Sequence, residues 1–266
     1  MRVVALRCAA AVALLCAAAG CGDNGVDVLT PISTLVQSDL AGLDLMPSAC
    51  TTANVALCEG FEADVLAQPW DAVEGMASVA LDSGRAFRGL HSLRVHTNGQ
   101  DGGVAAVLQG EVTEAAVLPN PLYVRFYVYV PSPLPSAGWR LAGALQQDYP
   151  NEGPALYVDG GALTFVGPAP ALTPTQSATP LPADRWVCVE WLATLDQAGE
   201  TQTFVDGSEL GDLHLSGNML PPGTDTDPLH RLSLGSAFFG DTAQQAAYDI
   251  WIDEIIVDSR RVGCDG

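Results

Sequence analysis

The sequence predicts an all-β protein built as two antiparallel sheets packed face to face. From residue 50 onward, short runs of alternating apolar and polar residues recur between clusters of Gly, Pro, Asn and Asp. The 3.6-residue periodicity that marks amphipathic helices is nearly absent. About a dozen such runs in one chain favour a single two-layer sandwich over two separate folds.

The predicted strands differ in how regularly apolar and polar residues alternate along them. Leu122–Val130 is the clearest of them, because apolar residues alternate with tyrosines and an arginine along it. Trp186–Leu195 and Thr201–Val205 are predicted to be adjacent partners, and the proline-rich stretch 168–182 is predicted to be a surface loop. The other predicted strands are Val55–Phe61, Ser78–Leu81, Ser92–Thr97, Val104–Gln109, Arg140–Gln147, Ala155–Val158, Leu163–Val166, Arg231–Phe238 and Ile250–Val257.

The first 21 residues have the layout of an export signal. Two arginines stand in the first seven residues, and Ala9–Ala19 forms an apolar stretch too short to span a bilayer. The Ala-Gly-Cys that ends at Cys21 resembles a bacterial lipobox, in which the cysteine is lipidated and becomes the mature N-terminus. Lipoboxes usually have a large aliphatic residue where this chain has Ala18, so ordinary signal-peptide cleavage near Gly20 is the alternative.

These features predict the domain organisation and the location. Residues 1–20 are the predicted lipoprotein signal peptide, and residues 21–49, rich in Gly, Asp and Ser, are a tether from the lipid on Cys21. Residues 50–266 form the predicted folded domain. The expected location is a bacterial membrane, with the protein exported and held at the cell surface or on the periplasmic face.

The cysteines support export. Two of the seven lie in the predicted signal peptide and Cys21 is the predicted lipid site, which leaves four. An even number in an exported chain predicts two disulfides, for which three pairings are possible. We favour Cys50–Cys58 and Cys188–Cys264. A metal site built from these cysteines is disfavoured, since the chain has no Cys-x-x-Cys spacing.

Charge excludes one class of partner. The formal net charge is −20, and all 11 basic residues are arginines. A phosphate backbone would be repelled, so nucleic acid is not an expected partner. Polyanionic glycans are also disfavoured unless arginines cluster locally. No apolar run after the signal is long enough for a membrane-spanning helix.

Four local sequences in order resemble the concanavalin A-like lectin/glucanase superfamily, a curved β-jelly roll. They are Cys-Glu-Gly-Phe-Glu from Cys58, Gly-Leu-His-Ser-Leu-Arg-Val from Gly89, the Trp-led strand from Trp186 with a later Val-Asp-Gly, and the closing strand from Trp251. This superfamily includes lectins, glycoside hydrolases and polysaccharide lyases. The resemblance therefore implies a two-sheet jelly roll and leaves the activity open.

The candidate glycan-binding residues lie on alternating faces of predicted strands. Side chains at every second position share a face, so one strand aligns Tyr123, Arg125, Tyr127 and Tyr129. We expect these four to line a groove with Arg94, His96 and Gln146, where aromatic rings stack on sugars and guanidinium groups bind carboxylates. The ordinary alternative is a half-exposed sheet face rich in tyrosine.

The leading functional prediction is carbohydrate binding without turnover, by a lectin-like module. A lyase acting on a uronate polymer is the first alternative, because it needs a His or Tyr base, a Tyr acid and an Arg near the substrate carboxyl. The motifs typical of alginate lyases are absent, and a glucanase is disfavoured because no Glu-x-Asp-x-x-Glu occurs. A structural cell-envelope protein is the further alternative.

Calcium is the cofactor expected, if any. Carboxylate oxygens are the ligands that calcium prefers, and extracellular β-sandwiches often join their terminal strands with such an ion. Glu59 or Glu62 on the first predicted strand and Asp253 on the last are the candidate ligands. The alternative is that these acids cap strand ends or pair with arginine.

Overall fold

The computed structural model describes twelve stretches of the chain. They are residues 48–51, 55–66, 70–74, 77–97, 105–111, 118–135, 137–146, 153–167, 173–194, 199–217, 229–238 and 247–264. The predicted signal peptide, Cys21 and nearly all of the predicted tether lie outside these stretches. No helix among the described residues is long and apolar enough to cross a membrane.

Two antiparallel sheets account for the described strands, as the sequence predicts. The strands are β1 (Leu57–Glu59), β2 (Trp70–Glu74), β3 (Ala77–Asp82), β4 (Ser92–Thr97), β5 (Ala105–Glu111), β6 (Leu122–Tyr129), β7 (Trp139–Gln146), β8 (Ala155–Asp159), β9 (Ala162–Val166), β10 (Thr175–Pro180), β11 (Trp186–Ala193), β12 (Glu200–Val205), β13 (Ser208–Glu209), β14 (Leu215–Ser216), β15 (Leu229–Phe238) and β16 (Tyr248–Asp258). Two 3₁₀ turns, Ala49–Thr51 and Gly211–Leu213, accompany them.

Sheet A has the strand order β13-β12-β11-β6-β16-β4-β3, with β1 added beside β16 and β14 beside β12. Sheet B has the order β10-β9-β8-β7-β15-β5-β2. The first and last strands of the domain, β1 and β16, pair directly in sheet A. Two antiparallel sheets with this mixing of early and late strands form a jelly-roll sandwich.

The core lies between the two sheets and comes from the apolar half of each alternating strand. In sheet A it contains Val124, Phe126 and Val128 of β6, and in sheet B it contains Leu156 and Val158 of β8. All of these are at most 1% exposed. Because the inner faces are filled, the outer faces of the two sheets are the surfaces on which a functional site can form.

The predicted strands are largely confirmed, and one prediction is wrong. Ser92–Thr97 is correct at both ends, but the stretch 168–182 is not simply a loop, since it contains β10 at the edge of sheet B. A proline-containing strand is tolerated at an edge because one side of it needs no ladder hydrogen bonds. β2 was also not predicted from the sequence.

Both favoured disulfides are confirmed. Cys50 bonds to Cys58, eight residues along the chain, and Cys188 of β11 bonds to Cys264, which follows the last strand. The two bonds fit an exported or extracellular protein, because such environments keep cysteines oxidised.

Candidate functional site

Six of the seven predicted glycan-binding residues share the outer face of sheet A. Tyr123, Arg125, Tyr127 and Tyr129 lie along β6, and Arg94 and His96 lie along β4. The seventh, Gln146, is the last residue of β7 in sheet B, opposite Leu229. The structure thus brings six of these residues to one sheet and places Gln146 in the other.

The middle of this face is covered by the chain itself. Residues 83–91 and 259–264, the covering segments, pack over β6 and its neighbours. Phe87 stacks on Tyr127 with ring centroids 3.6 Å apart, and the Tyr127 hydroxyl donates to the carbonyl of Cys264. Arg125 and Tyr127 are only 2% and 6% exposed. Because Phe87 and the Cys264 carbonyl lie against Tyr127, these two side chains belong to a layer that the chain itself covers, and they do not line an open groove.

Arg125 illustrates how this layer is built. Glu254 Oε2 lies 4.0 Å from its guanidinium, and both Glu254 oxygens accept the backbone N–H of Ala49. None of the three guanidinium nitrogens has a hydrogen-bond partner among the described residues. A buried cation that faces a buried carboxylate is held by that charge, so its role is structural.

The exposed end of the predicted face is a closed network of charges. Arg94 donates two hydrogen bonds to the carboxylate of Asp249, at 2.9 and 3.0 Å, and His96 Nδ1 lies 2.8 Å from the same group. Burial raises the pKa of Asp249, but the hydrogen bonds from Arg94 and His96 outweigh this and lower it. The guanidinium fork is thus already occupied by a carboxylate of the protein.

The three predicted calcium ligands each have backbone partners. Asp253 Oδ2 accepts from Phe87 N and Arg88 N, Glu62 accepts from Leu90 N, and Glu59 accepts from Phe61 N. No group of three or more His, Cys, Asp or Glu within the described stretches could hold a metal ion. These contacts give calcium no support, and its presence stays a prediction.

The outer face of sheet B carries a different set of residues, which we call the sheet B row. Arg140, Tyr157, Thr164 and Gln176 stand directly opposite one another on β7, β8, β9 and β10. Their neighbours Trp139, Leu156, Leu163 and Phe165 point into the core. Residues directly opposite in adjacent strands share a face, so the row presents a guanidinium, a phenol, a hydroxyl and an amide side by side.

A β-bulge turns Arg140 to this face. The register of β7 shifts between Arg140 and Ala142, and both Leu141 and Ala142 are buried in the core cluster. Two consecutive inward residues break the ordinary alternation, so Arg140 lies on the outer face although Ala142, two positions along, does not. Ser233 and Arg231 of β15 alternate with the core residue Leu232 and lie on the same outer face.

Electrostatics couples the first two members of the row. Burial lowers the pKa of Arg140, and the neighbouring Tyr157 raises it in part. Burial raises the pKa of Tyr157, and Arg140 lowers it in part. Because burial is the larger effect on the phenol, Tyr157 stays protonated at neutral pH and acts as a hydrogen-bond donor.

Thr164 is the member whose polar group is left without a partner. The residue is 6% exposed, and Oγ1 is buried with no hydrogen-bond partner among the described residues. Such a group carries a desolvation penalty that a ligand hydroxyl or amide would remove. The Thr164 hydroxyl, which lies between the phenol of Tyr157 and the amide of Gln176, is therefore available to form a hydrogen bond with a polar ligand.

Sequence reasoning missed the sheet B row for identifiable reasons. Arg140 and Tyr157 lie on strands that the sequence does predict, but no motif joins them, and the bulge hides which face Arg140 occupies. Gln176 lies on β10, within the stretch predicted to be a loop. The one available signal was the isolated arginine directly after Trp139, at the start of an otherwise apolar strand.

Comparisons with known proteins agree on the fold. No protein-family model matches the chain, and no curated protein matches it. Among solved structures, the cellulose induced protein Cip1 superposes with a TM-score of 0.59 at 17% identity, over 78% of this chain and 99% of the other. An endo-beta-1,4-glucuronan lyase from the fungus Trichoderma reesei gives 0.57 at 13%, over 78% and 96%.

A third similar structure is the marine PL-14 alginate lyase from Aplysia kurodai. Its TM-score is 0.53 at 10% identity, and the match covers 77% of this chain and 99% of that one. At these identities the similarity shows the fold alone, a jelly-roll sandwich shared by proteins of several activities. Two of the three are named as polysaccharide lyases.

Proposed function

We propose that this protein binds a carbohydrate polymer, without turnover, on the outer face of sheet B across the sheet B row. The observation that carries the proposal is the buried, unpartnered hydroxyl of Thr164 between Tyr157 and Gln176. A sugar ring offers hydroxyls that both donate and accept, so one of them can pair with the Thr164 hydroxyl. The polysaccharide-cleaving proteins of the same fold support this ligand class.

The row also has the dimensions of an oligosaccharide site. It crosses four strands, which spans roughly 14 Å at the usual strand spacing. Arg140 at one end of the row gives it a positive charge in an acidic protein. Arg231 lies on the same face but opposite Leu145, five residues along β7 from Arg140, so the two arginines are not adjacent.

The test is affinity gel electrophoresis with hydroxyethyl cellulose, glucuronan and alginate in the gel. We expect retardation of the parent by at least one polymer and loss of retardation in Thr164→Val and Tyr157→Phe. Arg94→Met is the matched control on sheet A and retains binding. Equal retardation of all variants, or none by any polymer in a wide panel, contradicts the proposal.

A uronate lyase is the second candidate, and the pairing of Arg140 with Tyr157 favours it. In such an elimination a base removes the proton beside the carboxyl, a double bond forms, and the bond to the leaving oxygen breaks. Arg140 would neutralise the carboxylate, a solvent hydroxide would take the proton beside it, and Tyr157, whose pKa is raised by burial, would give its proton to the leaving oxygen. Ultraviolet absorbance from the unsaturated product during incubation with glucuronan or alginate would establish turnover and overturn the simple binding proposal.

The location belongs to the same proposal. We infer that the chain is exported and anchored through a lipid on Cys21, with residues 22–49 as the spacer. The lipobox-like ending of the first 21 residues and the two disulfides support this. Mass spectrometry of the N-terminal peptide after expression in bacteria tests it, since a diacylglyceryl cysteine is expected and an unmodified Cys21 contradicts it.

A further inference from the structure

Three aromatic residues stand in a line across the outer face of sheet A, away from the sheet B row. Trp186 of β11 lies directly opposite Tyr129 of β6, and Tyr129 lies directly opposite Trp251 of β16. Adjacent rings in this line are edge to face, with centroids 5.9 Å apart in both pairs and interplanar angles of 74° and 90°. All three side chains are half-buried.

The notch between two of these rings holds a cation. The guanidinium carbon of Arg85, from the covering segment 83–91, lies 3.7 Å from the centroid of Tyr129 and 4.2 Å from that of Trp251. Both distances are well within the range of a cation–π contact. Two perpendicular rings around one cation form two walls of an aromatic cage, which is the arrangement that recognises quaternary ammonium groups.

Arg85 fits this cage incompletely. Its NH1 is buried and has no hydrogen-bond partner among the described residues, so the rings hold the charge without accepting that nitrogen's protons. A buried N–H without an acceptor carries a desolvation penalty. A quaternary ammonium ion has no N–H at all and carries no such penalty in the same position.

Charges around the cage favour a cation. Trp251 donates its indole N–H to Asp82 Oδ2 at 2.6 Å, which holds a carboxylate at the rim, and Asp184 interacts electrostatically with Arg85. The net charge of −20 attracts cations to the whole surface. The acidity of the chain thus acts in the same direction as the rings.

The segment that carries Arg85 is fastened by other contacts. Ser92 donates its hydroxyl to the Arg85 carbonyl, and Phe87 N and Arg88 N donate to Asp253. None of these contacts involves the Arg85 side chain. The guanidinium can therefore leave the rings by side-chain rotation while the segment stays in place.

We propose that Tyr129 and Trp251 form a binding site for a quaternary ammonium cation, that Trp186 supports the Tyr129 ring, and that Arg85 occupies the site as a displaceable internal competitor. The ligand is a trimethylammonium group, either of a free solute or of a lipid headgroup. This site is independent of the sheet B row, since it uses the opposite sheet and different residues.

The test titrates tetramethylammonium chloride into the protein and measures saturation transfer from protein protons to the methyl protons by NMR, at constant ionic strength. We expect saturable transfer with the parent protein and about ten-fold tighter binding by Arg85→Ala, because the competitor is gone. Arg88→Ala removes the same charge from the same segment and is the matched control, with affinity close to that of the parent.

Two further variants keep the test decisive. Trp251→Leu and Tyr129→Leu, each made in the Arg85→Ala background, should lose binding, with near-ultraviolet circular dichroism confirming that at least one remains folded. No saturable transfer with the parent, an affinity unchanged by Arg85→Ala, or binding retained in a folded cage variant would overturn the proposal. Ammonium chloride should not compete, since that ion is strongly hydrated.

A second arm separates the two sources of the cation. Vesicles of phosphatidylcholine and of phosphatidylglycerol are sedimented with the protein in the presence and absence of tetramethylammonium. Phosphatidylcholine binding that tetramethylammonium displaces supports a headgroup ligand, and saturable tetramethylammonium binding without vesicle binding supports a free solute. Equal sedimentation with both lipids, insensitive to tetramethylammonium, counts against the site.

Discussion

The outer faces of the two sheets use arginine in different ways. On sheet A, Arg94 faces Asp249, Arg261 faces Glu190 and Arg125 faces Glu254, so each guanidinium has a carboxylate nearby. On sheet B, the cross-strand neighbours of Arg140 are Tyr157 and Ala237. A guanidinium held by a carboxylate of the protein is neutralised by it, whereas Tyr157, whose pKa is raised by burial, places a neutral phenol beside Arg140. The comparison separates the arginines of sheet A that are bound to carboxylates of the protein from the polymer-binding residues proposed on sheet B.

The largest expected change in stability comes from releasing one of the covering segments of sheet A. The bond Cys188–Cys264 closes a separation of 76 residues and fixes the covering segment 259–264. Replacing both cysteines by serine should lower the free energy of unfolding by about 4 kcal/mol, against about 2.5 kcal/mol for Cys50→Ser with Cys58→Ser, where the closed loop is short. Urea unfolding measures both. If removing Cys188–Cys264 lowered the free energy of unfolding by less than removing Cys50–Cys58 does, the covering segment 259–264 would contribute little to stability.

The stability of the other covering segment, residues 83–91, is expected to depend on pH through Asp253. Burial is the main cause that raises the pKa of Asp253 to about 8. The unfolded carboxyl has a pKa near 3.9, so between about pH 4 and 8 the folded protein holds a proton that the unfolded chain lacks. Stability should therefore fall as pH rises, by up to about 1.4 kcal/mol per pH unit from this group.

Urea midpoints at pH 5, 6, 7 and 8 check the Asp253 prediction. Asp253→Asn cannot titrate, so its stability should vary less with pH than that of the parent. The steepest dependence is expected over residues of sheet A, which hydrogen exchange of the Phe87 and Arg88 amides can show, since both donate to Asp253. Parallel pH profiles for the parent and the variant would rule the explanation out.

On sheet B a stabilising substitution is expected to impair binding. Thr164→Val keeps the shape of the side chain and removes a buried hydroxyl that has no partner, so stability should rise by about 1 kcal/mol while polymer binding weakens. Thr201→Val on sheet A is the matched control. Its hydroxyl accepts the indole N–H of Trp191 and donates to the Leu192 carbonyl, so that variant should lose stability and keep binding. Thr201 lies on the core side of sheet A, so opposite outcomes at the two threonines would separate a hydroxyl that has partners from one that has none.

The sequence predicts the sandwich well because the signal for it is local. Alternation along β6 identifies its inner and outer residues correctly, and the predicted strand Ser92–Thr97 begins and ends at the same residues as β4. The number of disulfides also follows from the chain, since four cysteines remain after the predicted signal and lipid site, although this count leaves three pairings possible. Each of these inferences depends on residues close in sequence or on counting.

The candidate site needs information that the sequence does not carry. Tyr127 and Arg125 look like groove residues because alternation says that they point outward, and it cannot say that residues 83–91 and 259–264 return to cover them. Arg140 reaches Tyr157 through a bulge, which shifts the alternation by one residue at a place that no composition marks. Long-range covering and local register shifts decide which outward face is free, and both depend on tertiary contacts.

The smallest expected effect is at Asp249, and it tests whether the exposed end of sheet A is as inert as its closed network implies. Arg94, His96 and Asp249 are all partly exposed, so Asp249→Asn should lower the free energy of unfolding by less than about 1 kcal/mol and by less still in high salt. Because the folded pKa of Asp249 is lowered, its contribution is present above the unfolded pKa and is lost as pH falls through the folded one. Polymer retardation should not change, since this network lies on the face opposite the sheet B row. Loss of retardation in Asp249→Asn would contradict the polymer site proposed on sheet B and would favour a polymer site at Arg94 and His96.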